Sequence, residues 1–540
     1  MRSGAGRSRH AATVVLACLV LSLLSGLFLP VYTDEVGWRF QLDRYVQDGG
    51  VDRFLAEHCG ANTLARPPWF MLPVRLYGSL LTTMLADPAW VRLIGVTGAL
   101  CVVGLLWLLV RRLHHDHDDD PDARVLGALM LFGLLGMGVL PLLLVWSRPE
   151  QPVLLYLLLA LVVATAPRRA PDREPWGVLA ALVALSLLAF STHLKALAYT
   201  PFLLLLVWRS APGHATKAAR AIATIAIAGM AIVAAGYWRD RFACPADPIL
   251  SAELRMQNIA SGLTPFRWSA LPWAAGWLLT DLDPRQYLQL IHPAPGYMSD
   301  WLPRQPLPKL LLVAWGATVF VAWFAGLVIL AWTLWVTARL RWRHPTWQYA
   351  AALTACALIW AASQIHKNVY DASLTLPVLA TAALLAAAGQ PRWPRRLALA
   401  AVSIGALSLV SQALLAIIVT PAIARRITQP GYIADQPYSV SPYGYAAVRP
   451  VIERAAAVCR IDPVRARGVL VDDVTYFTFA RSYRPLHWTG VFWPWQGSIR
   501  DPLAYLREKR SDGIVLGCRY LPTNLRARAT ATGDFCCLHL

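Results

Sequence analysis

Charge is what this sequence has least of. Only 15% of its 540 residues are Asp, Glu, Lys or Arg, against 57% hydrophobic, and the mean hydropathy is +0.46. That balance excludes a soluble globular protein of this size. Acidic residues are the scarcer sign, 31 against 50 Lys and Arg, for a formal charge of +19. In a soluble chain such a surplus would point to nucleic acid. Here the cations sit mainly in short loops between apolar runs, a pattern of membrane topology that excludes nucleic acid as the natural partner. The first apolar run also lacks a small-residue cleavage site after it, and Cys18 is followed by further apolar residues. It therefore reads as a retained span, not as a signal peptide or lipoprotein leader. No internal repeat of the transporter kind is evident.

What is present is a series of apolar runs, each long enough or nearly long enough to cross the roughly 30 Å hydrocarbon core. They lie near 11–31, 90–110, 125–146, 152–166, 176–192, 196–209, 219–238, 308–336, 347–364, 372–389 and 397–423. The expected fold class is a polytopic α-helical membrane protein of about 11 transmembrane helices with a small C-terminal α/β or α+β extramembrane domain. Its expected domains are a membrane domain over 1–423, with external loops 32–89 and 239–307, and a soluble domain over 424–540. Strict alternation puts Arg111, Arg112 and Arg124, then Arg168, Arg169 and Arg173, on the same side as Arg2, Arg7 and Arg9. The positive-inside rule makes that side cytoplasmic and the C-terminal domain periplasmic, in a bacterial inner membrane. Cys59, Cys244, Cys459, Cys518, Cys536 and Cys537 all fall in segments read as external, where disulfides persist. A bridge between Cys59 and Cys244 is expected, although spacing does not establish connectivity.

The unusual ionisable residues gather at the outer helix ends. Asp34 and Glu35 follow the first span, with Arg39 close behind. Ser147-Arg148-Pro149-Glu150 forms one tight outer turn and Thr192-His193-Leu194-Lys195 another. His366-Lys367-Asn368-Val369-Tyr370-Asp371 forms a fourth group. Ionisable groups between spans are functional candidates by default, because holding them near lipid is costly. Carboxylates can take a proton from an acceptor hydroxyl or amine, while Arg, Lys and His hold a phosphate and stabilise the charge that develops as it leaves. The bland readings are a solvated acidic pair at Asp34-Glu35, a local Arg148–Glu150 ion pair, and snorkelling of His193, Lys195 and Lys367. The case rests on their common side. The run from His114 to Asp120 has ordinary metal ligands but lies on the cytoplasmic side, away from these groups, and reads as a solvated loop. No metal ligand is assigned, and a divalent ion stays an open possibility.

The Asp34-Glu35 pair after the first span resembles the motif of the membrane glycosyltransferases of the C superfamily, especially the group of protein O-mannosyltransferases and bacterial aminoarabinose transferases. Further resemblance lies in Pro88 to Arg112, where an Arg opens the second span, in Ser147 to Glu150, in Phe190 to Leu206 with Lys195, and in His366 to Pro377. The likeness covers about 30–390 through short motifs. It implies inverting transfer of a sugar from a polyprenyl phosphate donor to a lipid, glycan or protein acceptor. Asp34 would be the catalytic base, Glu35 its support and Glu150 a second acidic residue. Arg148, His193, Lys195, His366 and Lys367 would contact the donor phosphate, and Tyr370 and Asp371 the substrate. The Glu at 150, where the family more often has Asp, and the 239–307 loop depart from the pattern. A transporter or lipid flippase is the rival of another class; it would carry charge at mid-span. A non-catalytic envelope assembly factor is the third reading.

Overall fold

The computed structural model describes residues 3–28, 31, 35–39, 70, 72–81, 86–113, 135–136, 140–166, 176–210, 217–243, 269, 271–272, 335, 339, 345–363, 372–388, 442–482, 486–488 and 501–540. The expected spans 308–336 and 397–423, and Cys59 and Cys244 with their expected bridge, lie outside these residues or almost wholly so. Two described helices, Pro88–Leu113 and Lys217–Trp238 within the longer Lys217–Ala243, are long and apolar enough to cross a membrane. Shorter apolar helices include Glu150–Ala164 and Trp176–Thr192.

The 217–243 helix shows how sequence sets orientation. Ala219, Ala223, Ile227, Met230, Ala234 and Tyr237, three or four residues apart, make one buried stripe. On the other side Ile222, Ile225 and Ile232 are exposed. An apolar stripe turned outward on a helix of this length would be a liability in water, and a bilayer solvates it. The 88–113 helix repeats the pattern, with Trp90, Leu93, Leu100 and Trp107 outward and Val96, Ala99, Val103 and Leu106 inward.

Helices 88–113 and 150–164 run in the same direction. At their starts the Gln151 side-chain amide donates to the Gly95 and Leu144 carbonyls at 2.7 and 2.6 Å. Near their ends Arg112 donates to the Val162 carbonyl at 2.6 Å, satisfying one of the open carbonyls of the last turn. Close approach depends on two glycines. A Cβ at Gly95 would fall on the Val145 carbonyl, and one at Gly98 on the Gln151 side chain. The 150–164 helix also packs against 176–192, 200–210 and 372–388.

The expected single helix over 196–209 differs. Leu194–Tyr199 is a 3-10 turn and Thr200–Ser210 is the α-helix. Pro201 favours the first turn of a helix, where no N–H is needed, so the α-helix starts there.

Beyond 442 the chain forms a mixed sheet in the order β2-β1-β3-β5-β4. Leu470–Val471 (β1) lies parallel to His487–Trp488 (β2) and to Gly513–Gly517 (β3). Phe535–His539 (β5) is antiparallel to β3 and to Thr530–Thr532 (β4). Asp472 ties the end of β1 to the end of β3, accepting from the Gly517 N–H at 2.7 Å and from the Val474 and Thr475 N–H groups. The Pro442–Val458 helix packs on β4 and β5 and also touches the start of the 88–113 helix. Disulfides join Cys459 to Cys537 and Cys518 to Cys536.

Candidate active site

The 88–113 helix begins where Asp87 accepts from the Ala89 N–H at 2.7 Å, with Pro88 beside it as a first helical residue. That start places Arg92 in the first turns, fully buried. Its guanidinium pairs with the Glu35 carboxylate, also fully buried, and reaches the Val145 carbonyl at 3.5 Å. The other oxygen of Glu35 accepts from the Ser147 N–H at 2.7 Å. Arg39, in the same short helical segment 35–39, donates to the Ser147 hydroxyl at 2.7 Å. Glu35 and Arg39 thereby clasp the 145–150 turn against the second expected span.

The same turn carries the second carboxylate. Glu150 opens its helix, where the helix dipole favours an anion. One of its oxygens accepts from Lys195 Nζ at 2.7 Å and lies 3.3 Å from the Arg148 guanidinium. The other, Oε2, is buried with no hydrogen-bond partner among the described residues. Arg148 stands 6.0 Å from the Trp146 ring centre. Lys195 is set by the 3-10 turn, whose cap is His193: its Nδ1 accepts from the Lys195 N–H at 3.1 Å. In the neutral ring the proton then sits on Nε2. The His193 ring lies 6.2 Å from that of Trp238, which donates to the Phe190 carbonyl at 3.2 Å.

Of the residues singled out from sequence, Glu35, Arg148, Glu150, His193 and Lys195 are brought to adjoining positions on three turns. Asp34, directly before Glu35, and His366, Lys367, Tyr370 and Asp371 lie outside the described residues. Among the described residues no three His, Cys, Asp or Glu side chains gather as a metal site would require. Sequence reasoning passed over Gln151 as a residue in its own right. A polar amide opening an otherwise apolar run was the available signal. Arg92 carried a similar signal as a lone cation inside an apolar run, but nothing in the chain named Glu35 as its partner.

No family model and no curated protein matches the chain. Among solved structures it is similar to ArnT from Cupriavidus metallidurans bound to undecaprenyl phosphate, at 13% identity and a TM-score of 0.45, with 97% of each chain covered. Against the apo state of ArnT the identity is 12% and the TM-score 0.49, covering 99% of this chain and 98% of that one. It is also similar to the oligosaccharyltransferase of Archaeoglobus fulgidus, at 12% identity and a TM-score of 0.43, covering 93% of this chain and 69% of that one. ArnT and the oligosaccharyltransferase are both membrane glycosyltransferases of the C superfamily. At these identities and scores the likeness assigns no residue.

Proposed function

We propose that the chain is an inverting membrane glycosyltransferase that moves a sugar from a polyprenyl phosphate to a hydroxyl or amine of a lipid, glycan or protein acceptor. The observation that carries this reading is the gathering of two buried carboxylates, Glu35 and Glu150, with their cations on turns that are far apart in sequence; Asp34 directly precedes Glu35 in the chain. Burying that many ionic groups is costly, and a structural role would be served as well by apolar packing. Glu35 has both oxygens engaged and no exposed surface, so it suits anchoring and not proton abstraction. Asp34 is then the base. It takes the acceptor proton as the acceptor oxygen or nitrogen bonds to the anomeric carbon, and the bond from that carbon to the phosphate oxygen breaks with its electron pair. Arg148, Lys195 and His193 hold the departing polyprenyl phosphate, with His366 and Lys367 assigned the same role and Tyr370 and Asp371 the sugar.

The cysteines support a reaction side. Two disulfides among the described residues after 442 suit an oxidising compartment, which favours reading that domain and the site as periplasmic. A transporter would need charge along a path through the spans; the described charges sit at helix ends. Transfer of labelled sugar from polyprenyl phosphate donors, in membranes holding equal amounts of wild type or Asp34→Asn, tests the reading. Loss of transfer in the variant is expected, and undiminished transfer would remove Asp34 as base.

A further inference from the structure

Gln151 is the residue of the site that neither ion pair accounts for. It follows Glu150 in the first turn of the 150–164 helix and is buried. A side-chain amide nitrogen has two hydrogens to give, and both go to carbonyls, that of Gly95 at 2.7 Å and that of Leu144 at 2.6 Å. Leu144 ends the Leu140–Leu144 helix, where carbonyls lack an intrahelical partner. Gly95 lies three residues beyond Arg92, on the same side of its helix. One amide thus fastens three pieces of chain: the helix that carries Arg92, the end of the segment that leads into Ser147 and Arg148, and the helix that Glu150 opens. Gly98 keeps the space for it, since a Cβ there would fall on the amide.

Both buried carboxylates bear on this joint. Glu35 holds Arg92 on one side of it and the Ser147 N–H on the other, and Glu150 is the adjacent residue. Successive residues of a helix stand about 100° apart around its axis, so an amide pinned at 151 also fixes the direction in which the Glu150 side chain leaves the helix. Glu150 meets Lys195 and Arg148 through one oxygen, a contact that a small rotation of the helix would break. The chemistry at 151 is restricted. A methionine fills the same space but leaves both carbonyls without this donor. A glutamate has the shape and sets carboxylate oxygens against two carbonyl oxygens, while an asparagine is one carbon short. A neutral double donor of this length also leaves the charge balance of the Glu35–Arg92 and Glu150–Lys195 pairs as it is.

We propose that Gln151 is a positioning residue: it sets the Glu150 carboxylate against the Glu35–Arg92 pair, and so fixes the spacing between the two halves of the site. The proposal rests on the transferase reading. Gln151→Met keeps the size of the side chain and removes the donors. With the full chain in lipid nanodiscs it lowers kcat for sugar transfer, per folded molecule counted by its melting transition, by about tenfold to a hundredfold, the effect of a misplacement of roughly 1 Å. In the Glu150→Gln background the same change costs less than about twofold, because the carboxylate it positions is gone. A role confined to packing would multiply in both backgrounds, and that result, or a Gln151→Met that transfers as wild type does, overturns the proposal. Where Gln151→Met does not fold, Gly98→Ala carries the same comparison, since its methyl displaces the amide. Electron cryomicroscopy of the variant supplies a readout that needs no turnover. Glu150 drawn more than about 3.5 Å from Lys195 Nζ supports the proposal, and Glu150 still within that distance overturns it. A Glu150→Gln that transfers as wild type does removes Glu150 from the reaction but not Gln151 from its joint, which the variant structure then decides alone.

Discussion

Glu35 and Glu150 are both buried carboxylates, yet they differ in what is left over. Both oxygens of Glu35 are taken, one by Arg92 and one by the Ser147 N–H. Removing Arg92 strands a charge with no water to reach it. Arg92→Ala should lower the unfolding free energy by about 3–5 kcal/mol, the cost of breaking a buried pair. Adding Glu35→Gln to it should recover part of the loss, and denaturant unfolding of the purified protein in detergent reads both. Glu150 keeps one oxygen open and shares the other between Lys195 and Arg148. Lys195→Ala should destabilise less than Arg92→Ala, because Arg148 still faces the same Glu150 oxygen, and should tell on catalysis as well. On the proposed reaction it lowers transfer by about tenfold or more, with Lys195→Arg restoring part of it. Equal transfer in Lys195→Ala and wild type would detach Lys195 from the donor phosphate.

At the level of helices, the site exists because the 145–151 turn packs directly on the start of the 88–113 helix. Gly95 lets the 145–151 turn rest on the backbone of the 88–113 helix. Gly95→Ala places a methyl against a carbonyl that cannot move without its turn, and should cost about 1–3 kcal/mol as well as displacing Ser147 and Glu150. Gly104 faces open space in the same helix, so Gly104→Ala should be neutral or gain up to about 1 kcal/mol from helix propensity. Thermal melting of the two variants side by side makes the comparison. Such helices were legible in the sequence because apolar runs of this length have few alternatives. The 88–113 helix was expected near 90–110; its actual start, at Pro88 after Asp87, falls two residues earlier. Pairing between helices was not legible. Arg92 and Glu35 are 57 positions apart, and no local rule links them. Nor did the apolar run at 196–209 disclose its 3-10 opening, since hydropathy is blind to a change of pitch. At the site, residue types and their common level could be read from the chain, whereas which oxygen faces which cation is a matter of packing.

At the scale of the molecule, among the described residues, the region after 442 touches the 88–113 helix through the 442–458 helix and is stapled to itself by two disulfides. The Cys459–Cys537 bridge spans 78 residues and the Cys518–Cys536 bridge 18. Loop-closure entropy assigns them roughly 4–5 and 3 kcal/mol, taken separately. Dithiothreitol should accordingly lower the melting temperature of the C-terminal domain; among the described residues Cys18, Cys101 and Cys356 are unpaired and offer it no bridge to break. A membrane-impermeant thiol reagent applied to intact cells after reduction should label the domain if it is periplasmic. Protection of all four cysteines would place it inside.

Cys536 and Cys537 are neighbours on β5, and neighbours on a strand point to opposite faces of the sheet. One bridge therefore pins each face, and the two partners cannot be exchanged without turning the strand over. Four cysteines can pair in three ways, and only one of them lets β5 lie in register beside β3. Oxidation alone does not make that choice; something must undo the wrong pairs. A host with an oxidising envelope but no disulfide isomerase should thus yield chains in which β5 is held the wrong way round beside β3, folded elsewhere in this region yet unable to close its sheet.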